Sequence, residues 1–246
     1  VIGGLGLALL LFFLIPNIPN GTHNQNILED IKIIICNYKL IIVSVLAGLM
    51  VGPLEGFADA WGTSSLMSIY NIDRVSATNN ISLILTGMCI GCIILPFIAD
   101  KTKSHYMITL FSAITMCGCF LYLLFGSSTI KNINIVCLLI GVSCAYQVVI
   151  IAKISAYVPE RLSGIAAAVG NMVVMAFGSI FHKTISAIIE SHDNDKVIDN
   201  VRIYSKEAYI QSISVIPISM LIPIICFAVI IVSEYYNKYR KNLVTL

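Results

Sequence analysis

The chain has 246 residues, of which 58% are hydrophobic and only 11% charged, with a formal net charge of +2. So few charges cannot cover the surface of a soluble protein of this length, and so small a net charge gives no basic field for nucleic acid. No zinc-finger, Walker-loop or Rossmann glycine spacing occurs.

A membrane helix needs roughly 20 mostly apolar residues, and about seven stretches meet or approach that length. The chain opens Val1-Ile2-Gly3-Gly4 with no charged segment ahead of its apolar run, so it does not read as a signal peptide. Residues 1–16 are expected to be the end of a membrane helix entered midway, closed by Pro16 and Pro19, which makes the chain a fragment. Residues 17–39 read as a polar linker. Six spans follow within 40–234, at about 40–66, 81–99, 106–125, 133–157, 164–189 and 212–232. A polar loop at 190–209 precedes the last span, and 235–246 is a basic tail. Positive charges in short loops mark the inside of a membrane. With linker and tail inside, that side holds Lys32, Lys39, Lys101, Lys103, Arg161, Lys238, Arg240 and Lys241. The outside holds Arg74, Lys131, Lys196, Arg202 and Lys206, and three of those five sit in the longer loop.

The eight cysteines are Cys36, Cys89, Cys92, Cys117, Cys119, Cys137, Cys144 and Cys226. Nearly all fall in apolar runs, where Cys acts as a small hydrophobe. Cys89 and Cys92 form a CxxC with no second pair at zinc-site spacing. No metal or cofactor site is expected. Small residues recur within the spans, among them the Gly87/Gly91 GxxxG and Gly164, Ala168 and Gly178. They predict close helix packing in lipid.

Charged groups at membrane depth are costly and usually face a protein interior or a water-filled cavity. Glu55 and Asp59 lie four apart, on one face of the first of the six spans, just after Pro53. Pro53 removes a backbone donor and is expected to bend the helix just before Glu55. Two carboxyls beside a bend suit proton or cation coupling, or one of them pairs structurally with a Lys, His or backbone group. Tyr146 and Gln147 sit near the middle of the fourth span, as substrate contacts or as an interhelical hydrogen bond. Lys153 lies near the inner end, where it can snorkel. In the fifth span Asn171 is a ligand contact or helix glue, and His182 a candidate for a proton pathway.

Three stretches carry a family resemblance. Gly141-Val142-Ser143-Cys144-Ala145-Tyr146-Gln147 leads into Val158-Pro159-Glu160-Arg161-Leu162-Ser163-Gly164, and a Gly- and Ala-rich run then reaches Asn171-Met172. This resembles helices ten and eleven of the major facilitator superfamily. Pro96-Phe97-Ile98-Ala99-Asp100-Lys101-Thr102-Lys103 resembles the superfamily's cytoplasmic loop signature, with Pro96 where the motif begins with Gly and Ser104-His105 replacing part of its basic cluster. The stretch from Gly52 to Gly62 is similar to helix seven of bacterial members, most of all the Pht-type transporters of intracellular bacteria, which import amino acids or nucleosides.

The resemblance implies an all-α, polytopic transmembrane bundle: the C-terminal six-helix half of such a transporter, plus a remnant of helix six. It implies alternating access for a small polar solute, coupled to protons, in a bacterial inner membrane, beside an N-terminal bundle that this chain lacks. Trp61, Tyr146, Gln147 and Asn171 are the expected cavity residues. Glu55, Asp59 and His182 are expected to carry coupling, and Asp100, Lys101 and Lys103 the conformational loop. The competing reading is an inactive fragment or a subunit of a split transporter. A retinal pump is disfavoured because 212–232 holds no Lys. An intramembrane enzyme is disfavoured because no GxSxG or HExxH occurs.

Overall fold

The computed structural model describes residues 13–14, 27–126, 130–191, 197–198, 201–202 and 204–244. The expected helix remnant at 1–16 therefore lies outside the described residues except at Phe13 and Leu14. Among the described residues, six helical stretches are long and apolar enough to cross a membrane, as in a multi-pass membrane protein. They are Tyr38–Tyr70, Arg74–Thr102, His105–Phe125, Asn132–Ser155, Glu160–Ser191 and Lys206–Asn237.

The first span is α2 (Tyr38–Glu55), a π-helical segment (Gly56–Trp61) and α3 (Gly62–Tyr70), following a short α1 (Ile27–Ile35). The second and third are α4 (Arg74–Thr102) and α5 (His105–Phe125). The fourth is broken into α6 (Ile130–Cys144) and α7 (Tyr146–Ser155). The fifth is α8 (Ser163–Ser191), entered through a 3-10 turn at Glu160–Leu162, and the sixth is α9 (Lys206–Val244). Two short strands, β1 (Val197–Ile198) and β2 (Val201–Arg202), pair antiparallel within the loop before α9.

Three element boundaries differ from the sequence reading. Within 17–39, Ile27–Ile35 is helical and α2 already begins at Tyr38. Nine residues with Glu29, Asp30 and Lys32 among them are too short and too charged to register as a span. Packing holds them instead: Ile34 is fully buried, and Asp30 pairs with Arg161 at 3.2 Å. The tail is likewise not separate, since α9 runs unbroken through it to Val244. Helix α4 also starts well before residue 81. Asp73 accepts from the Ser76 N–H at 3.1 Å as its N-cap. Hydrogen bonds from the Ser76 side chain and backbone hold the Asp73 carboxyl below the usual carboxylate range.

The segments assigned together to the inside gather at one end. Asn37 Nδ2 donates to the Tyr157 carbonyl at 3.3 Å, and Lys103, His105, Lys153 and Glu234 line one groove. This is called the basic end below.

The helices pair in a regular way. α2 packs along α8, α4 along α6, and α9 along α5. Exchanging the first three spans with the last three, in order, turns the first pairing into the second and leaves the third unchanged. The next contacts, α5 with α6 and α9 with α2, also exchange. The two interrupted helices occupy equivalent places, as the opening span of each triplet.

Glycine makes the two closest pairings possible. A Cβ on Gly52 would meet the backbone of Phe177, and one on Gly141 would meet the Ile84 carbonyl. Helices lacking side chains at the crossing can approach backbone to backbone.

The outer surfaces differ in chemistry. Exposed positions of α5 and α9 are apolar: Phe111, Ile114 and Leu121 on one, Ile218, Ile225 and Val229 on the other. On α8 the exposed residues are mixed, with Ala168, Asn171, Ser179 and Lys183 interleaved with Met172, Met175 and Ile180. On α4, exposed Ser82 and Thr86 return their hydroxyls to the carbonyls of Thr78 and Ser82, at 3.0 and 3.1 Å. That satisfies them without water.

Candidate functional site

Pro53 lacks the N–H that would bond the Leu49 carbonyl, so the α-helical ladder is already incomplete there. The helix does not break before Glu55. It widens just after it, into the six-residue π segment Gly56–Trp61. Such segments are rare and concentrate at functional sites. Phe57 anchors this one by turning inward, where its ring meets Phe120 edge-on at 5.3 Å. Asp59, in the same segment, is exposed, and Glu55 at its start is half-buried.

Across from Glu55 lies Gly178 of α8. A Cβ on that glycine would overlap Oε2 of Glu55, so the missing side chain is the space the carboxylate occupies. Gly56, one residue on, lies against the backbone of Phe181 and the backbone nitrogen of His182. Glu55 thus interacts electrostatically with Asp59 on its own strand of helix and with His182 on α8. Cys144 and Tyr146, on either side of the break in the fourth span, lie within electrostatic range of it. Among the described residues Glu55 forms no ion pair or hydrogen bond; the one ion pair there is Arg161 with Asp30.

The break itself is at Ala145, between α6 and α7. Tyr146 is fully buried, and its hydroxyl donates to the Ala47 carbonyl of α2 at 2.6 Å. Of the two sequence readings for Tyr146, the structure gives the interhelical hydrogen bond, which pins one broken helix to the other. Tyr146→Phe is expected to lower stability by about 0.5–1.5 kcal/mol, seen as a reduced melting temperature in detergent.

A scan against models of known protein families gave no match, and a search of curated proteins gave none.

The remaining expected residues are spread out. Gln147 is half-buried beside the break, its Nε2 3.8 Å from Cys144 Sγ. Asn171 is exposed on α8, nearer the basic end than Gly178. Trp61 closes the π segment against Tyr204, ring centroids 5.9 Å apart, and Tyr204 in turn meets Tyr209 at 6.1 Å. Trp61 therefore belongs to an aromatic cluster at the end opposite the basic one. Asp100, Lys101 and Lys103 lie exposed at the basic end, where Lys103 turns α4 into α5 with a left-handed φ of 51°.

Glu55, Asp59, His182, Tyr146 and the Gly178 notch are thus the group that the fold assembles. Sequence reading found the titratable members. It also named Gly178, but only as a small packing residue.

Proposed function

We propose that this chain is the C-terminal bundle of a major-facilitator-type secondary transporter. It moves a small polar solute, an amino acid or a nucleoside, together with protons across a bacterial inner membrane. One observation carries the reading: a half-buried carboxylate, without an ion pair among the described residues, stands at the start of the π segment and fills the notch left by Gly178 of α8. Secondary transporters place substrate and coupling ions at broken helices between repeats. Alternating access changes the water around a carboxyl, and hydration decides whether it holds a proton. Glu55 is then the proton carrier, Asp59 and His182 its charged neighbours, and Gln147 and Asn171 the donors and acceptors for a polar substrate.

Two further features support this reading. The exchange of helix pairings between the first and last three spans is what a repeat of three helices in opposite orientation produces. The mixed face of α8, with Asn171, Ser179 and Lys183 exposed among Met172, Met175 and Ile180, against apolar faces on α5 and α9, suits a surface that meets a second bundle rather than lipid. The basic end is then cytoplasmic, by its excess of Lys and Arg.

The test is uptake of radiolabelled amino acids, nucleosides and sugars into vesicles carrying the chain alone or within its complete reading frame. Uptake only by the complete form, collapsed by a protonophore, supports the reading. Uptake by the chain alone would overturn the two-bundle account.

A further inference from the structure

A groove of about 540 Å³ opens at the basic end, between the α4–α5 turn, α7 and the late part of α9. Its polar rim is Lys103, Ser104, His105 and Lys153, with Glu234 opposite. Neither lysine has a carboxylate within ion-pair distance among the described residues. The Lys153 ammonium lies 5.1 Å above the Tyr106 ring and 5.7 Å from the Tyr157 ring. Those rings fix the position of the charge without neutralising it.

Tyr106 supplies a second, independent observation. It is 3% exposed and forms part of the wall of this groove and of a neighbouring cavity of about 370 Å³. Its hydroxyl is buried and has no hydrogen-bond partner among the described residues. A buried hydroxyl left unpaired costs stability, so a site that supplies an acceptor oxygen beside it is favoured.

The lower part of the groove changes character. Ile231 lines it, and it continues onto Met107 and Val232, which are 52% and 68% exposed on the apolar faces of α5 and α9. A ligand filling the whole groove carries an anionic oxygen group at one end and hydrocarbon at the other. Two lysines against one glutamate favour a net negative head.

The geometry points to a binding site for an anionic phospholipid. Its phosphate lies among Lys103, Ser104 and Lys153, against the wall that Tyr106 helps to form, and an acyl chain lies over Met107 and Val232. The site is separate from the Glu55 cluster and does not rest on the transport reading. A lipid held here ties the turn between the second and third spans to the last helix.

The test is native mass spectrometry of the whole chain, stripped of lipid in mild detergent and offered phosphatidylglycerol and phosphatidylcholine in equal amounts. The expected result is a preference for phosphatidylglycerol of roughly ten-fold or more. Lys103→Ala with Lys153→Ala removes the preference, Lys103→Arg with Lys153→Arg keeps it, and Lys32→Ala, a basic-end lysine outside the groove, leaves it unchanged. Equal retention of the two lipids by the unaltered chain overturns the proposal, whatever the variants do. So does an equal loss with Lys32→Ala. Displacement of the lipid by glycerol 3-phosphate at matching concentration would make this a soluble-phosphate site and overturn the assignment to lipid.

Discussion

On the proposed transport reading, Glu55→Gln is expected to abolish proton-driven accumulation of substrate by the complete protein while leaving exchange across the membrane intact. The amide keeps the shape of the carboxyl and can still fill the space that Gly178 leaves open. It cannot take up or release a proton. A carrier moving one charge with each solute gains about 2.3 kcal/mol per 100 mV, or roughly fifty-fold accumulation. Without a titrating group that gain vanishes and the inside concentration only equals the outside. Exchange needs substrate binding and helix motion, both of which the amide permits. The measurement is accumulation ratio and counterflow in the same vesicles. Accumulation unchanged in Glu55→Gln would remove Glu55 from coupling and leave Asp59, the exposed carboxylate of the π segment, to be tested the same way.

Gly141→Ala should destabilise the bundle by about 1–3 kcal/mol, the usual cost of inserting a carbon into a packed core. The added carbon would lie 2.8 Å from the Ile84 carbonyl carbon and 3.0 Å from the Gly87 Cα. These are backbone atoms, which cannot rotate aside as a side chain can, so α4 and α6 must separate. Gly118→Ala is the matched control. Nothing lies within 4 Å of a Cβ there, so the change is expected to be neutral or to stabilise α5 by about 0.5–1 kcal/mol. Thermal unfolding of both variants in one detergent compares them directly. Equal melting temperatures would mean that the α4–α6 crossing yields more easily than its geometry implies.

The positions of the spans were legible because each apolar run exceeds what a soluble helix carries. Their ends were not. Helix α4 begins in Arg74-Val75-Ser76-Ala77-Thr78-Asn79-Asn80, and α9 in Lys206-Glu207, where hydropathy falls although backbone hydrogen bonding continues. The cap at Asp73 marks the true start better than composition does. The Gly87/Gly91 pair was recognisable as a packing motif, but its partner Gly141 is distant in sequence, and no local pattern joins them. The same holds for Gly178 and Glu55. The break at Ala145 had no breaker residue to announce it, and the widening after Glu55 had only Pro53 upstream. Tyr146 shows the limit most plainly. A polar side chain in mid-span looks the same in sequence whether it meets a ligand or, as here, the carbonyl of Ala47.

The glycine crossings also decide where this bundle is mechanically soft. α2 with α8, and α4 with α6, touch backbone to backbone, and contacts of that kind resist sliding because no side chain can repack to absorb it. Compliance is left to the stretches where the α-helical ladder is interrupted: the π segment 56–61, which holds a surplus residue in its wider turn, and the junction at Ala145. The first of these joints begins directly after Glu55, and the second is pinned to α2 two turns earlier, through Tyr146 and the Ala47 carbonyl. Movement at the π segment is therefore movement at Glu55, and a change in that group's charge acts on the joint next to it.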